Sequence, residues 1–511
     1  MKKRLSILLA VFALVLCCGT VRADEAITRI DQLNDPDRTV GVNTGSISEL
    51  TVQAELPLAK IAYYNDKFMG YLDVANGRID AFVYDVRQMS LSIRDGLKGV
   101  RLLDETMKET TEIAVGISDA SEIPDLQAMI NHFIAQLRAD GTLDDMYTRW
   151  LLNGEDTMPA IDKPSFPRGR LVVGTTGNVP PYSYYNGTTL AGYDIELATR
   201  LAAWLGMELE FSVMDYDAVS SAIKSGKVDC FMSNLQVSPG RAESIQFSDI
   251  LYEEKQGVMV RATEAQAAYT LPTFWEEVSS SFQKTFIRES RWKLFLEGVG
   301  TTMLITALTI LVGTALGFLV FLMCRNGNAA ANAATRLSLW LVQGMPMVVL
   351  LMILYYVVLG SVAIGGIAVA VIGFSLTFGA SVFGLLKMGV GTIDRGQYEA
   401  AYALGHSNRR TFFRIILPQV IPHILPAYQS EIVGLIKATA IVGYIAVQDL
   451  TKMSDIVRSR TYDAFFPLIA ITIIYFALEG LLILLVSKVR VRLDPKKRSQ
   501  ERILKGVNIH D

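Results

Sequence analysis

The chain has 511 residues, 51% of them hydrophobic, with a formal charge of −3. A mean hydropathy of +0.31, with the apolar weight in the second half, describes a hybrid of soluble and membrane parts long enough for two or three domains. The near-neutral charge gives no footprint for nucleic acid, and the four scattered histidines and four cysteines fit neither a metal-site spacing nor a disulfide framework.

Lys2, Lys3 and Arg4 precede an apolar run from Leu5 to Cys18, and Val21-Arg22-Ala23 offers small residues to a signal peptidase. Residues 1–23 are expected to be a signal peptide that directs export of the chain from Asp24 onward. Cys17 and Cys18 leave a lipoprotein reading open, although Leu16 and Cys17 are poor residues to precede a lipidated cysteine. Cys230 falls in a predicted exported strand and Cys324 at the inner end of a membrane span, on opposite sides of the bilayer.

From Asp24 to about Ala262, short β-type runs alternate with helical segments, which predicts parallel α/β sheets. Two stretches are alike: Asn76-Gly77-Arg78-Ile79-Asp80-Ala81-Phe82-Val83-Tyr84-Asp85 and Ser225-Gly226-Lys227-Val228-Asp229-Cys230-Phe231-Met232-Ser233-Asn234. In each a helix ends at Gly and a strand begins after Asp, carrying the last residues to the carboxyl edge of a sheet, where open α/β folds bind ligands.

Several motifs carry a resemblance. Leu171-Val172-Val173-Gly174-Thr175, Pro180-Pro181-Tyr182, Ala191-Gly192-Tyr193-Asp194-Ile195-Glu196-Leu197, Ser238-Pro239-Gly240-Arg241 and Phe247-Ser248-Asp249 resemble lobe one of type II periplasmic amino-acid-binding proteins. Thr39-Val40-Gly41-Val42-Asn43-Thr44-Gly45-Ser46 and the Gly77 to Asp85 run resemble lobe two. Leu137 to Leu143 and Trp150-Leu151 resemble the helices that return to lobe one. The resemblance implies a substrate-binding domain at 24–265, made of lobe two at about 30–110, return helices at 111–152, a Pro-rich linker at 153–168 and lobe one at 169–262. That order is read as a circular permutation, which is tolerated where termini lie close together. Two truncated binding proteins in tandem are the rival reading.

The family clamps a free amino acid. By motif position Arg241 would pair with the ligand carboxylate, which its planar fork suits. Gly45 and Ser46 would open a helix whose N–H groups favour the same anion, Asp85 would bind the α-ammonium, and Asn234 and Gln236 would contact the ligand main chain. Val179 stands where relatives often place an aromatic, so Tyr182, Tyr184 or Tyr185 is expected to substitute. Thr176, where relatives preferring basic ligands are acidic, favours a neutral or polar ligand. The plain structural alternatives are a surface ion pair of Arg241 with Glu243 and a helix cap at Asp85.

Residues 266–295 interleave Phe274, Trp275, Phe282, Phe286 and Trp292 with Lys284, Arg288, Arg291 and Lys293, as an amphipathic linker on a membrane surface does. A charge-free run at 298–324, a second at 337–386 long enough for two helices that turn near Gly360, Gly365 and Gly366, then spans near 425–448 and 465–487, predict five membrane helices within 296–490. Gly313 and Gly317 form a small-xxx-small pair. Glu431, Lys437 and Glu479 are read as pathway or packing groups. The basic tail at 491–511 predicts a cytoplasmic C-terminus.

Glu399-Ala400-Ala401, three residues, Gly405, nine residues, then Ile415-Ile416-Leu417-Pro418 resembles the cytoplasmic coupling loop of permease subunits in binding-protein-dependent ABC importers. Glu297 to Thr302, Gln343-Gly344-Met345-Pro346 and Leu435 to Thr439 are similar to spans of polar amino acid permeases, with Gln343 and Ala438 departing from the usual residues. The expected architecture is therefore mixed: a two-lobed α/β binding domain, then an all-α membrane domain. The resemblance implies import of a polar amino acid, with a short helix at 399–410 transmitting the stroke of a dimeric ATP-binding subunit. It further implies a second permease copy as a homodimer, contact with membrane lipid, and no nucleic acid. No phosphate-binding loop, nucleophile–base arrangement or metal spacing occurs, so neither enzymatic activity nor a cofactor is expected on this chain. A ligand-gated channel or an amino-acid sensor built on the same binding fold is the alternative.

Overall fold

The computed structural model describes residues 26–493 apart from 45, 95, 244, 263–273, 326–328, 361, 363, 462, 464 and 465. The expected signal peptide, the end of the tail and the proposed anion-binding Gly45 lie outside the described residues. Among the described residues thirteen strands occur in chain order: β1 (Thr39–Asn43), β2 (Lys60–Tyr64), β3 (Ala81–Asp85), β4 (Val100–Ile113), β5 (Gly116–Ile117), β6 (Arg170–Thr175), β7 (Asn178–Val179), β8 (Ser183–Asn186), β9 (Thr189–Ala191), β10 (Glu208–Val213), β11 (Cys230–Phe231), β12 (Gln246–Phe247) and β13 (Tyr252–Arg261). They belong to two compact units. One runs to Glu112 and resumes at Glu253; the other takes Ile113–Tyr252 and resumes with the helices after Pro272.

In the first unit the sheet order is β2-β1-β3-β13-β4. β1 lies parallel to β2 and to β3, whereas β13 runs antiparallel to β3 with Gln256 opposite Asp85. Val40, Val42, Val83, Val258 and Val260 fill its core with Val52 and Leu56 of the helix Ile47–Glu55. In the second unit the order is β10-β6-β11-β5-β12, with β10, β6 and β11 parallel and β5 antiparallel to both β11 and β12. The expected parallel sheets therefore hold for three strands of each. The fourth is antiparallel because it arrives from the other half of the chain: β13, read with lobe one, completes the first sheet, and β5, read with the return helices, completes the second.

The twin motifs have one physical basis. Gly77 and Gly226 both take φ +68, ending the helices Lys67–Ala75 and Val219–Lys224 at a conformation that costs glycine little. The carboxylates three residues later then bind the neighbouring strand. Asp80 accepts from the Thr39 N–H of β1 at 2.7 Å and Asp229 from the Val172 N–H of β6 at 2.8 Å. Each also donates its own N–H back to the same residue. Strand register is thus pinned identically in both sheets.

The return segment packs on the second sheet. Ile130, Phe133, Ile134 and Trp150 share a core with Leu171, Val173, Leu197 and Leu201. Within it Glu196, on the helix Tyr193–Leu205, accepts from Trp150 Nε1 at 2.6 Å and from Arg149 and Arg200 at 2.8 Å. Burial alone would raise this carboxyl's pKa, but the two guanidiniums and the indole hold it below its usual value.

Among the described residues three helices are long and apolar enough to cross a membrane, Trp292–Arg325, Gly366–Gly391 and Phe466–Lys488, and two bent pairs bring the number to five if each is one span. The second expected span is broken by 108° between Gly344 and Met347. There Pro346 cannot donate a helical N–H and drives Met345 out of helical geometry. The fourth begins earlier than expected, running from Asn408 through Pro422 and Pro426 inside the helix Leu417–Ala438, and bends 60° before Leu450. Gly313 and Gly317 do form a crossing: a Cβ at Gly317 would lie 2.4 Å from the Gly379 carbonyl oxygen on the helix Gly366–Gly391. Gly317→Leu, which would force these backbones apart, is expected to destabilise the membrane helices by ~1–3 kcal/mol or more. The effect is read as a lowered unfolding temperature in detergent; an unchanged one would mean that the helices do not pack this closely.

Candidate functional site

In the first unit Asp85 closes β3 fully buried, its Oδ1 accepting the Gln88 N–H at 2.8 Å. It thus caps the helix Val86–Arg94, as the plain structural reading anticipated. Ser46 stands in extended geometry before the helix Ile47–Glu55, but its hydroxyl turns back to the Asn43 carbonyl at 2.7 Å. Ser48, which the sequence did not single out, donates to the Gln256 side-chain carbonyl, whose amide reaches Thr111.

In the second unit Asn234 and Gln236 are buried just beyond β11. Asn234 takes φ +50, a left-handed position Asn tolerates. Its N–H donates to Asp194 at 2.6 Å, and its side-chain carbonyl accepts from the Tyr252 hydroxyl at 3.2 Å. Arg241 donates to the Gln236 carbonyl at 3.1 Å and lies 5.0 Å over the Tyr216 ring. Tyr182 is wholly enclosed, its ring stacked 6.2 Å from Tyr252, and Val179 is buried with it in the core. Of the aromatics expected near a ligand, Tyr184 meets Trp150 and Arg460, and Tyr185 accepts from Gln448.

Those last contacts belong to a seat for lobe one on the ends of the membrane helices. Met214, Val219, Ile223 and Phe231 form one apolar cluster with Tyr355, Tyr356, Val442 and Ile445. Lys227 donates to the Leu359 and Val362 carbonyls at 2.7 Å each and lies 4.9 Å over Tyr355. Asp215 pairs with Lys452, of which only 4% is exposed. Neither Asp215 nor Lys452 was marked by the sequence, because a pair 237 positions apart leaves no local pattern.

The predicted coupling residues lie at the opposite ends of the same helices. Gly366 meets Ile445 at the seat, while the helix it begins runs to Gly391. Beyond that the short helix is Arg395–Ala403, capped by Asp394, rather than 399–410. It starts earlier because Asp394 supplies the cap and stops earlier because Gly405 turns at φ +77. Glu399 and Ala400 are exposed and Ala401 is buried. Ser407 caps a separate turn, where Ser407, Arg409, Arg410, Phe413 and Arg414 line an open groove of ≈ 380 Å³. Arg325, ending the first long helix, bonds Asn408 and stacks 4.0 Å over Phe412. Lys437 and Glu479 pair at 3.1 Å, tying two helices together.

Residues 171–463 match the family model of the bacterial extracellular solute-binding proteins, family 3. The putative glutamine transport system permease protein GlnP of Rickettsia typhi is 31% identical over 196 residues, 38% of this chain and 89% of that protein. The probable amino-acid ABC transporter permease protein YckA of Bacillus subtilis is 31% identical over 184 residues, 36% of this chain and 81% of that protein. The chain belongs to family 3 of the bacterial extracellular solute-binding proteins and, in its membrane half, to the ABC transporter permeases. A solved structure described as an amino acid ABC transporter with histidines covers 44% of this binding-protein permease at 28% identity, over all of that chain, with a TM-score of 0.38.

One group of the solute-binding part gives a pH signature. Burial pushes the Asp194 carboxyl up to about 7, against the smaller opposing effect of the Asn234 N–H. The folded permease therefore holds this proton more tightly than the unfolded chain, whose Asp ionises near ~3.9. The stability so contributed is complete below ~4 and is lost as pH rises through about 7. Thermal unfolding tracked from pH 5 to 8 is expected to show a decline that Asp194→Asn reduces; identical slopes would place Asp194 in water.

Proposed function

We propose that this chain is the permease and receptor of an ABC importer in one polypeptide, taking up an amino acid at the expense of ATP hydrolysed on a separate subunit. The observation that carries the reading is the separation of two surfaces on one bundle. Lobe one rests on one end of the membrane helices through Asp215 and Lys452, and the Glu399 helix with its basic groove occupies the other. A receptor surface and a motor surface at opposite ends are what an alternating-access subunit needs. The lobe-one end faces outward, and the Glu399 helix and C-terminal tail are cytoplasmic, in keeping with the basic tail. An amino acid is the cargo that the names of the GlnP and YckA relatives support.

Arg241 takes the α-carboxylate and Asp85 the α-ammonium, while Asn234 and Gln236 serve the ligand main chain. The ATP-binding subunits, as a dimer, grip the Glu399-Ala400-Ala401 helix with its Gly405 turn, and two permease copies form the pathway. The chain itself performs no chemistry and holds no cofactor. The binding domain is one circularly permuted unit: β5 and β13 each complete the sheet of the other half, an exchange that two independent truncated domains have no reason to make. Lobe one stays seated on the permease throughout the cycle, because its core is continuous with that of the helices.

Calorimetric titration of the full chain in nanodiscs against the twenty amino acids is expected to find binding that Arg241→Ala weakens by roughly 100-fold or more. Silence across all twenty overturns the cargo. In vesicles with the ATP-binding partner, Asp215→Lys or Lys452→Asp alone is expected to reduce uptake at least ~10-fold. The charge-swapped double variant is expected to recover most of it, since it restores the pair. Uptake unaffected by either reversal would show that the seat is dispensable.

A further inference from the structure

Lys67 is an unusual residue for its place. It opens the helix Lys67–Ala75, where the positive end of the helix dipole disfavours a cation, and its side chain does not simply turn out to water. The ammonium lies 5.3 Å over the Tyr84 ring and donates to the Gln88 side-chain carbonyl at 2.6 Å. Gln88 is only 3% exposed, and its side-chain nitrogen has no partner among the described residues. It lies one turn beyond Asp85, whose carboxylate takes the Gln88 N–H. Asp85 is also close enough to act electrostatically on Lys67, as is Asp66, although burial outweighs both and brings the lysine down to about 8. An ammonium carries three donors, and among the described residues Gln88 is the one acceptor bonded to Lys67.

We propose that Lys67 reads the side chain of the transported amino acid, donating to a carbonyl or carboxylate oxygen there. The inference rests on the amino-acid reading above, in which Arg241 and Asp85 account for the charges of the α-carbon. Lys67 is then a second cation left over at the carboxyl edge of the same sheet as Asp85. An aliphatic side chain would leave its donors desolvated and unpaired. A basic side chain would meet like charge. A side-chain amide or acid satisfies the donors.

The test is titration of the full chain in nanodiscs with glutamine, asparagine, glutamate, aspartate, leucine and lysine. One or more of the first four is expected to bind best, amides and acids being told apart by which pair responds. Lys67→Met is expected to weaken that ligand at least ~10-fold, and Lys67→Arg, which keeps a cation, to retain most of the affinity. Thermal unfolding of both variants checks that they are folded. A best ligand that is leucine or lysine, or a folded Lys67→Met that binds as the parent does, overturns the inference alone. Absence of binding to any amino acid overturns the amino-acid reading and this inference together.

Discussion

The structure depends on a hydrophobic core that does not stop at the membrane. Val219, Ile223 and Phe231 of lobe one lie in the same cluster as Tyr355, Tyr356, Val442 and Ile445 of the helices. Apolar burial of that kind is non-directional and would by itself allow sliding. The polar contacts fix the register: Lys227 on the Leu359 and Val362 carbonyls, Gln448 on Tyr185, and Lys452 on Asp215. Because Lys452 is almost fully enclosed, loss of its carboxylate would strand a buried cation, which is far costlier than losing a surface pair. Lobe one is consequently part of the permease body, and the ends of the helices away from it are left to the Glu399 surface.

The two sheets share an internal logic. Each begins from a glycine turn and an aspartate that clasps the next strand, and each is completed by a strand from the other half of the chain. Neither sheet can therefore be assembled from one uninterrupted stretch. The Glu196 carboxylate adds a third tie, binding the return segment through Arg149 and Trp150 to the helix that carries Asp194. Buried charge is tolerated here because every oxygen is matched by a cationic or indole donor.

Among the membrane helices, shape is set by small residues and prolines rather than by charge. Gly313 and Gly317 let two backbones touch, and Pro346 breaks a helix that hydropathy alone would draw straight. The pairing of Lys437 with Glu479 gives both of these residues a structural role between two helices.

The sequence by itself determined what is periodic or short-range: charge-free runs long enough to span a bilayer, the Gly-x-x-Asp turns, the helix-forming Glu399 loop ended by Gly405, and the motifs that place the chain in its families. Those signals are legible because the residues that interact are close together in the chain. It also placed Asp85 and Asn234 at sheet edges and, through the resemblance, singled out Arg241, without foreseeing that Tyr182 would be sealed in the core. Only the tertiary structure decided the antiparallel exchange of β5 and β13 and the seating of Asp215 on Lys452. Each of these is fixed by partners tens to hundreds of residues away, and the desolvation that makes them matter exists only once the chain has closed around them.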